Sequence, residues 1–409
     1  MEEIIRCMTR LVTVIVVSFP LCLSFPAAAD NYANLFVPDE VLSLFKSAPK
    51  KQKLKYCKTG KGSYERVKEY SVNPPYRILG YNSRMDNENE VEGAVQFGNF
   101  VISFSTIYLD LVTKGDEARQ QIALDALYEW ASGSALLATK SCVNEQGIAD
   151  RNCTSWKQPD GQDPSDWMDY NKTQIDVMHL AYGYYFTLAS FKPMDPKHVV
   201  IKNWFDEFFK RNRRPKDVSF GLDLNYYWPK LFSILLQKEE VSAKAEAREI
   251  LEFLLSELDG LLLDDGSIKD RTTRGNRALW YHHSSLAELM ITLEMARRFD
   301  LPIPTNLDQR IQMAGEIFLE GFLDHSYLDK WAKVAYRGIF TPGQQEFPKS
   351  INLPNGNSWF YIYAFRYPNN PVAKRLMSLL KEEKPNIARR DGLVGFCLGC
   401  IYAVANDVR

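Results

Sequence analysis

Apolar residues recur at helical spacing along almost the whole chain, and this pattern limits the fold more than any other sequence feature. In 117–138, for example, Ala123, Leu127, Trp130 and Leu137 fall near one helical face. The linkers are short, and no heptad or longer period is sustained, which argues against a coiled coil or a repeat array. The same spacing predicts further helices at 86–113, 173–191, 195–210, 223–236, 243–258, 276–298, 307–322, 354–367, 371–382 and 392–404.

These helices predict an all-α protein built from antiparallel hairpins. Each helix carries an apolar face that has to be buried against another element. A ring of consecutive hairpins is one arrangement that buries all of these faces at once. At 409 residues and 45% hydrophobic content, the chain is long enough for a large core in one or two domains. The net charge of −1 argues against a nucleic-acid partner, because phosphate neutralisation needs excess positive charge.

The N-terminus has the pattern of an export signal. Two arginines precede an apolar run at 11–25 that is short for a membrane span, and three small residues end at Ala29. We therefore expect a cleaved signal peptide at 1–29, a mature chain at 30–409 that does not remain in the membrane, and a periplasmic or secreted protein. An uncleaved anchor is the alternative.

Export makes the five cysteines outside the signal informative. Cys142 and Cys153 flank a polar loop, and an oxidising compartment favours a disulfide between them. Cys397 and Cys400 lie in an apolar helical segment and are expected either in the core or as a partner for Cys57. No second pair of cysteines or histidines stands at zinc spacing, so no metal site is predicted.

A cluster of polar side chains marks the segment 263–286 as the candidate site. An acidic Asp-Asp-Gly turn leads into a helical pattern, and the junction carries Arg274, Arg277, Tyr281, His282 and His283 within ten residues. Loop-to-helix junctions keep polar groups reachable from solvent. Arginine binds carboxylates through two parallel hydrogen bonds, and a neighbouring cation helps a tyrosine to act as a base. This combination fits chemistry on a sugar carboxylate.

A structural explanation of the same residues is the alternative. The arginines can pair with Asp264, Asp265 or Asp270, and Tyr281 can be a core aromatic residue whose hydroxyl is hydrogen bonded.

The sequence RGNRALWYHH at 274–283 resembles the R-G-x-R-A-L-x-Y-H segment of the alginate lyases of polysaccharide lyase family 5. In that family the first arginine and the tyrosine belong to the active site, which here are Arg274 and Tyr281. The preceding DDGS resembles the family's D-x-D-G motif. The resemblance implies an (α/α) toroid, an incomplete α/α barrel, formed by a single domain at 30–409, with a cleft lined by the inner helices.

Weaker matches extend the resemblance over 57–301. Cys57 is similar to an early cysteine of the family, and LYEWA at 127–131 is similar to its L-x-x-W-A helix. Arg84 stands where the family has a substrate-binding lysine. The order of these elements agrees with that of the family.

One departure concerns the family's N-N-H-x-Y-W signature. The matching residues at 223–228 read DLNYYW, so Tyr227 and Trp228 are kept but Asn225 replaces the catalytic histidine. Asparagine can donate a hydrogen bond to a carboxylate but cannot accept a proton as a base. The resemblance therefore implies a mechanism in which Tyr281 is base and acid, while Arg274 and Asn225 neutralise the uronate carboxylate.

The predicted function is that of a polysaccharide lyase cleaving a uronate polymer by β-elimination. The alternatives are a glycoside hydrolase on the same toroid, using carboxylates among Asp163, Asp166 and Asp169, and a non-catalytic polysaccharide-binding protein. We expect an anionic polysaccharide substrate, no cofactor and a monomer. His179 falls on the apolar stripe of a predicted helix and is expected in the core, and His198 and His325 have no sequence context for catalysis. The residues expected to bind substrate are Arg84, Tyr227, Trp228, Arg277 and His282.

Overall fold

The computed structural model describes residues 36–57, 62–78, 93–113, 115–139, 167–211, 224, 227–238, 240–333, 340–351, 356–383 and 398–409. Several sequence predictions lie outside these residues. They are the signal peptide at 1–29, the Cys142–Cys153 disulfide, and the site residues Arg84 and Asn225.

The described residues are helical, and their only bridge between extended residues joins Leu262 and Ile268. Two short 3₁₀ helices occupy Gly275–Arg277 and His325–Lys330. The α-helices are α1 (Asp39–Ser47), α2 (Lys50–Tyr56), α3 (Ser63–Ser71), α4 (Ala94–Thr113), α5 (Glu117–Ser132), α6 (Trp167–Thr187), α7 (Lys197–Lys210), α8 (Trp228–Gln237), α9 (Glu240–Leu261), α10 (Ala278–Arg298), α11 (Thr305–Leu323), α12 (Ser358–Arg366), α13 (Pro371–Glu382) and α14 (Leu398–Val408).

Burial separates these helices into an inner and an outer layer. In α10, 16 of 21 residues are buried, and in α12 the number is 8 of 9. The intervening outer helices are amphipathic, since only 5 of 12 residues are buried in α13 and 6 of 16 in α5. A helix that is apolar on all sides has to be enclosed by other helices, whereas one with a single apolar stripe lies at the surface.

The packing order shows how the layers form a ring. Alternate helices touch one another: α4 contacts α6, α6 contacts α8, α10 contacts α12, and α12 contacts α14. Helix α8 is joined to α10 by the hydrogen bond from the indole N–H of Trp228 to Thr292 at 3.2 Å. On the outside, α5 contacts α7 and α11 contacts α13. This two-layered order is that of an (α/α) toroid, and it confirms the predicted all-α fold class.

The N-terminal helices join the last inner helix to the first. Helix α14 packs against α1 and α2, and α2 also contacts α4. A disulfide links Cys57, at the end of α2, to Cys400 in α14, with Cα atoms 5.3 Å apart. Lys55 forms an ion pair with Asp407 at the same junction, with a nitrogen–oxygen distance of 2.8 Å. Of the two alternatives for Cys400, the pairing with Cys57 is the one that the structure contains.

A buried carboxylate connects several inner helices. Glu294 of α10 is fully buried and accepts hydrogen bonds from Arg297, from Arg366 of α12 and from the hydroxyl of Tyr402 in α14. Arg366 reaches further, to Glu40 of α1, at 2.6 Å. Burial beside Glu294 raises the pKa of the Tyr402 hydroxyl, so this tyrosine remains a hydrogen-bond donor.

The structure differs from the predicted helices in several places, and the helices expected at 223–236 and 354–367 begin at Trp228 and Ser358. Helices α1 to α3 were not predicted, and the helix expected at 117–138 ends at Ser132. Gly133 follows, where a Cβ atom would lie 2.7 Å from the Pro74 side chain. Ser134 and Leu136 then adopt positive φ angles of 52° and 65°, which a helix cannot contain.

Helix α4 is the one helix in the described part of the chain that has the length and composition of a membrane span. In the fold, 67% of its most apolar window is buried inside the protein. It packs against α3 and α6, so burial in the inner layer accounts for its apolar character.

Candidate functional site

The acidic turn at 263–267 is fixed against α11. Leu262 and Ile268 form an antiparallel bridge, and Gly266 between them has a φ of 80°. A Cβ atom at Gly266 would lie 2.7 Å from the backbone nitrogen of Ala314. Only glycine therefore fits this close approach, and the turn sets the starting point of the loop that leads to α10.

His282 fastens the loop and the first turn of α10 to α11. Its Nε2 donates to the carbonyl oxygen of Ala314 at 2.9 Å, so its Nδ1 accepts from the hydroxyl of Thr272 at 2.8 Å. The Thr272 oxygen in turn accepts from the N–H of Ile268. Burial lowers the pKa of His282 to about 4 and keeps the ring neutral. His282 was expected to bind substrate, but both of its ring nitrogens are hydrogen bonded within the protein.

The segment 341–346 holds the 3₁₀ turn that precedes α10. The Gln345 side chain accepts from the N–H of Leu279 at 3.0 Å and donates to the carbonyl oxygen of Gly275 at 3.2 Å. The Asn276 side chain accepts from the N–H of Thr341 at 2.7 Å. These bonds satisfy backbone groups that are otherwise unpaired at a helix start, and they fix where α10 begins.

Tyr281 lies one turn into α10 with two guanidinium groups beside its ring. The Arg274 guanidinium is 4.6 Å from the ring centroid, and that of Arg271 is 5.6 Å away. Arg274 is held in place by a bond from its Nε to the carbonyl oxygen of Asp270, at 2.6 Å. Positive charge next to a phenol favours its ionised form, which is the form that removes a proton.

The structure thus brings together the predicted pair, Arg274 and Tyr281, and adds Arg271. No sequence motif identifies Arg271, although it stands only three residues before Arg274. Arg271 is 6% exposed, whereas Arg274 and Tyr281 are half-buried.

Three other predicted substrate-binding residues have different surroundings. Arg277 forms an exposed ion pair with Glu346 at 2.7 Å. Trp228 is fully buried and donates its indole N–H to Thr292 at 3.2 Å, which gives it a core position. Tyr227 is 6% exposed and lies near the ring of Phe253.

Of the four remaining histidines, three are buried, and the half-buried His325 accepts a hydrogen bond from the N–H of Gln345 at 3.3 Å. His198 is bonded to the Tyr184 hydroxyl at 2.6 Å and donates to the carbonyl oxygen of Phe191 at 2.8 Å. His283 accepts from the indole N–H of Trp359 at 3.1 Å within an aromatic cluster. His179 is 1% exposed. These three histidines are enclosed by protein, whereas Tyr281 is half-buried.

No protein-family model matches the chain, and no curated protein matches it in sequence. Solved structures do match its fold. One is alginate lyase A1-III from Sphingomonas species A1, with 13% identity, a TM-score of 0.49, and coverage of 68% of this chain and 70% of that chain. Another is a variant of alginate lyase A1-III in complex with a tetrasaccharide, with 11% identity and a TM-score of 0.52, covering 83% and 87% of the two chains.

The fold is alginate lyase-like. The second of these matches extends over most of both chains, so it concerns the toroid as a whole and not one hairpin of it. At 11% identity the alginate lyase-like fold describes the path of the backbone. The chemistry has to be argued from the side chains around Tyr281.

Within the described residues, no group of three or more histidine, cysteine, aspartate or glutamate side chains is arranged to hold a metal ion. The cationic groups beside Tyr281 are both arginines. The described part of the site therefore offers fixed positive charge from guanidinium groups for stabilising a carboxylate.

Proposed function

We propose that the protein is a polysaccharide lyase that cleaves a uronate-containing polymer by β-elimination. The observation that carries the proposal is the placement of Arg274 against the ring of Tyr281, 4.6 Å from its centroid, at the start of an inner helix of an alginate lyase-like toroid. A permanent cation beside a half-buried phenol is suited to binding a sugar carboxylate and removing the proton next to it.

In the proposed reaction, Tyr281 takes up a proton from the sugar and then donates the same proton to the leaving oxygen. As a phenolate, Tyr281 removes the proton from C5 of the uronate, and the C5–H electrons form the C4–C5 double bond. The bond from C4 to the glycosidic oxygen breaks, and the neutral tyrosine returns the proton to that oxygen. Atoms and charge balance without a cofactor, and the tyrosine is regenerated as phenolate.

Arg274 contributes by neutralising the carboxylate on C5. Negative charge that develops from C5 into the carboxylate is stabilised by a cation already in place, which lowers the barrier to proton removal. We assign Asn225 to a second hydrogen bond to the same carboxylate and Arg84 to a neighbouring sugar unit, both from the family resemblance. Trp228 and His282 are left out of the proposed machinery, because the protein itself occupies their functional groups. Arg277 is left out because it pairs with Glu346 at the surface.

A single tyrosine can perform both transfers only when the C5 proton and the leaving oxygen lie on one face of the sugar. This condition holds for D-mannuronate and D-glucuronate units and fails for their C5 epimers. We therefore propose a polymer containing one of these two units as the substrate. The tetrasaccharide bound to the alginate lyase A1-III variant supports a saccharide ligand for this fold.

The test is a panel of polymannuronate, polyguluronate, polyglucuronate and a neutral polysaccharide incubated with the mature protein. The expected result is ultraviolet absorbance from an unsaturated uronate end on polymannuronate or polyglucuronate. New reducing ends without that absorbance would indicate a hydrolase, and binding without turnover would indicate a polysaccharide-binding protein. Either outcome would refute the proposed lyase activity.

Export to the periplasm or medium is part of the same proposal, because a polymer substrate is met outside the cytoplasm. N-terminal sequencing of exported protein should find a start near Asp30. Non-reducing peptide mapping of that material should find Cys142 joined to Cys153. Material that begins at Met1, or that has both thiols free, would contradict these two expectations.

A further inference from the structure

We infer that Arg271 is a positioning residue for Tyr281, acting through the aromatic ring and not through the substrate. This inference rests on the proposed function. It assigns to the site a second arginine that no sequence motif identified. Two guanidinium groups lie against the ring of Tyr281 and differ in exposure. The buried Arg271 positions the tyrosine, whereas Arg274 binds the substrate carboxylate.

The geometry places Arg271 against the tyrosine. Its guanidinium carbon lies 5.6 Å from the centroid of the Tyr281 ring, within the range of a cation–π contact, while Arg274 lies at 4.6 Å. Two cations beside one ring fix both the orientation of the ring and the charge around it. The hydroxyl of Tyr281 is thereby held in one orientation.

Burial separates the tasks of the two arginines. Arg271 is 6% exposed and so is enclosed by protein, whereas Arg274 is half-buried at the surface of the site. A sugar carboxylate can reach Arg274 without displacing protein. It cannot reach Arg271 in the same way, so the contact of Arg271 with Tyr281 is the route by which its charge affects the reaction.

The backbone around Arg271 is held firmly enough for such a role. The N–H of Arg271 donates to Ile268, and its carbonyl oxygen accepts from the N–H of Arg274 at 3.3 Å. The next residue, Thr272, is bonded to His282, which is itself bonded to α11. The bond between Thr272 and His282 therefore joins the loop to the first turn of α10. Arg271 and Tyr281 are the residues that immediately precede these two.

Arg271→Gln removes the charge and the planar contact while keeping a polar side chain. The expected result is a fall in kcat of about 10- to 100-fold, because a small misplacement of a catalytic group costs about this much. KM should stay within about twofold, since Arg271 does not contact the substrate. Arg274→Gln should instead change both constants.

Two further variants separate positioning from a general effect on folding. Arg298 ends α10, at the opposite end of that helix from Tyr281, and its side chain is 16% exposed and paired with Asp39 at 3.4 Å. Arg298→Gln is therefore a matched loss of a largely buried arginine away from the site, and its kcat should stay within about twofold of wild type. On a Tyr281→Phe background, Arg271→Gln should cause no further loss of turnover, because its effect passes through the hydroxyl that is already absent.

The outcomes are distinguishable. A wild-type protein that forms no unsaturated product on the uronate panel overturns the proposed function and this inference with it. An active wild type whose Arg271→Gln variant keeps its kcat, or whose Arg298→Gln variant loses as much, overturns the inference alone. If Arg271→Gln does not fold, Arg271→Lys decides. A kcat within about twofold of wild type then refutes a need for the planar guanidinium against the ring.

Discussion

The disulfide between Cys57 and Cys400 should contribute a large part of the stability of the toroid. The two residues are 343 positions apart, so the bond closes a loop that includes most of the chain. In the chain-entropy model, a loop of 343 residues corresponds to about 6 kcal/mol at 25 °C. Measured disulfides usually deliver less, because the reduced unfolded chain retains structure, and we expect a loss of about 3–5 kcal/mol.

The perturbation is the double substitution Cys57→Ala and Cys400→Ala. Alanine is preferred to serine because both sites are at most 1% exposed, and a buried hydroxyl without a partner would add its own cost of about 1–3 kcal/mol. The assay is urea unfolding of both proteins, followed by far-ultraviolet circular dichroism and tryptophan fluorescence. The double variant should unfold at lower urea, and its slope should be equal to or steeper than that of wild type, because the unfolded chain without the bond is less compact.

Two controls test the reasoning. Each single alanine variant already lacks the bond, so it should show most of the loss, and the double variant should add little to either. Lys55→Met removes the exposed ion pair with Asp407 at the same junction and should cost less than about 1 kcal/mol. A double variant within about 1 kcal/mol of wild type, with the bond verified in wild type by non-reducing mapping, would refute ring closure as a source of stability.

Three further predictions concern single side chains. Tyr281→Phe should keep the fold and lower turnover by about 10²–10⁴, measured as release of unsaturated ends; wild-type turnover would refute the assignment of the base. Burial lowers the pKa of His282 in the folded protein to about 4, against 6.5 for the free side chain, so as pH falls the unfolded state binds the proton before the folded state does. About 3 kcal/mol of the unfolding free energy should therefore be lost as pH falls from 6.5 to 4. Urea unfolding across this range should show a flatter profile for His282→Gln, and an equal slope would contradict the linkage. Gln174 is 3% exposed, and neither polar atom of its side chain has a hydrogen-bond partner. Gln174→Leu should therefore leave the unfolding free energy unchanged or raise it by about 1 kcal/mol. A loss of more than about 1 kcal/mol in urea unfolding would show that the amide is needed.

The helices and the place of the candidate site could be predicted from the sequence because their signals are local. Helical spacing of apolar residues arises within a few turns, and the structure contains helices at most of the predicted segments. The junction that carries Arg274 and Tyr281 was also readable, since a turn followed by an apolar periodic segment fixes a loop-to-helix boundary. The separation of seven residues between Arg274 and Tyr281 brings them together across that boundary.

Tertiary structure decided which of the neighbouring residues have side chains that a substrate can reach. His282 and Trp228 looked like site residues in the sequence, but burial and hydrogen bonds to Ala314 and Thr292 give them structural positions. Arg271 belongs to no sequence motif, yet the loop folds it against Tyr281. Helical geometry gives the angle between neighbouring residues on one turn. Which of these directions faces another helix, and so which residue is buried, depends on the packing of distant parts of the chain.

The sequence by itself determined that this chain would form helices, and that an arginine and a tyrosine would meet at the start of one of them. Only the tertiary structure decided how the ring closes, with Cys57 bonded to Cys400 across 343 residues and α14 packed against α1 and α2. Helix formation depends on neighbours three and four residues apart. Ring closure instead depends on the summed packing of every helix between the two ends, which no local pattern records.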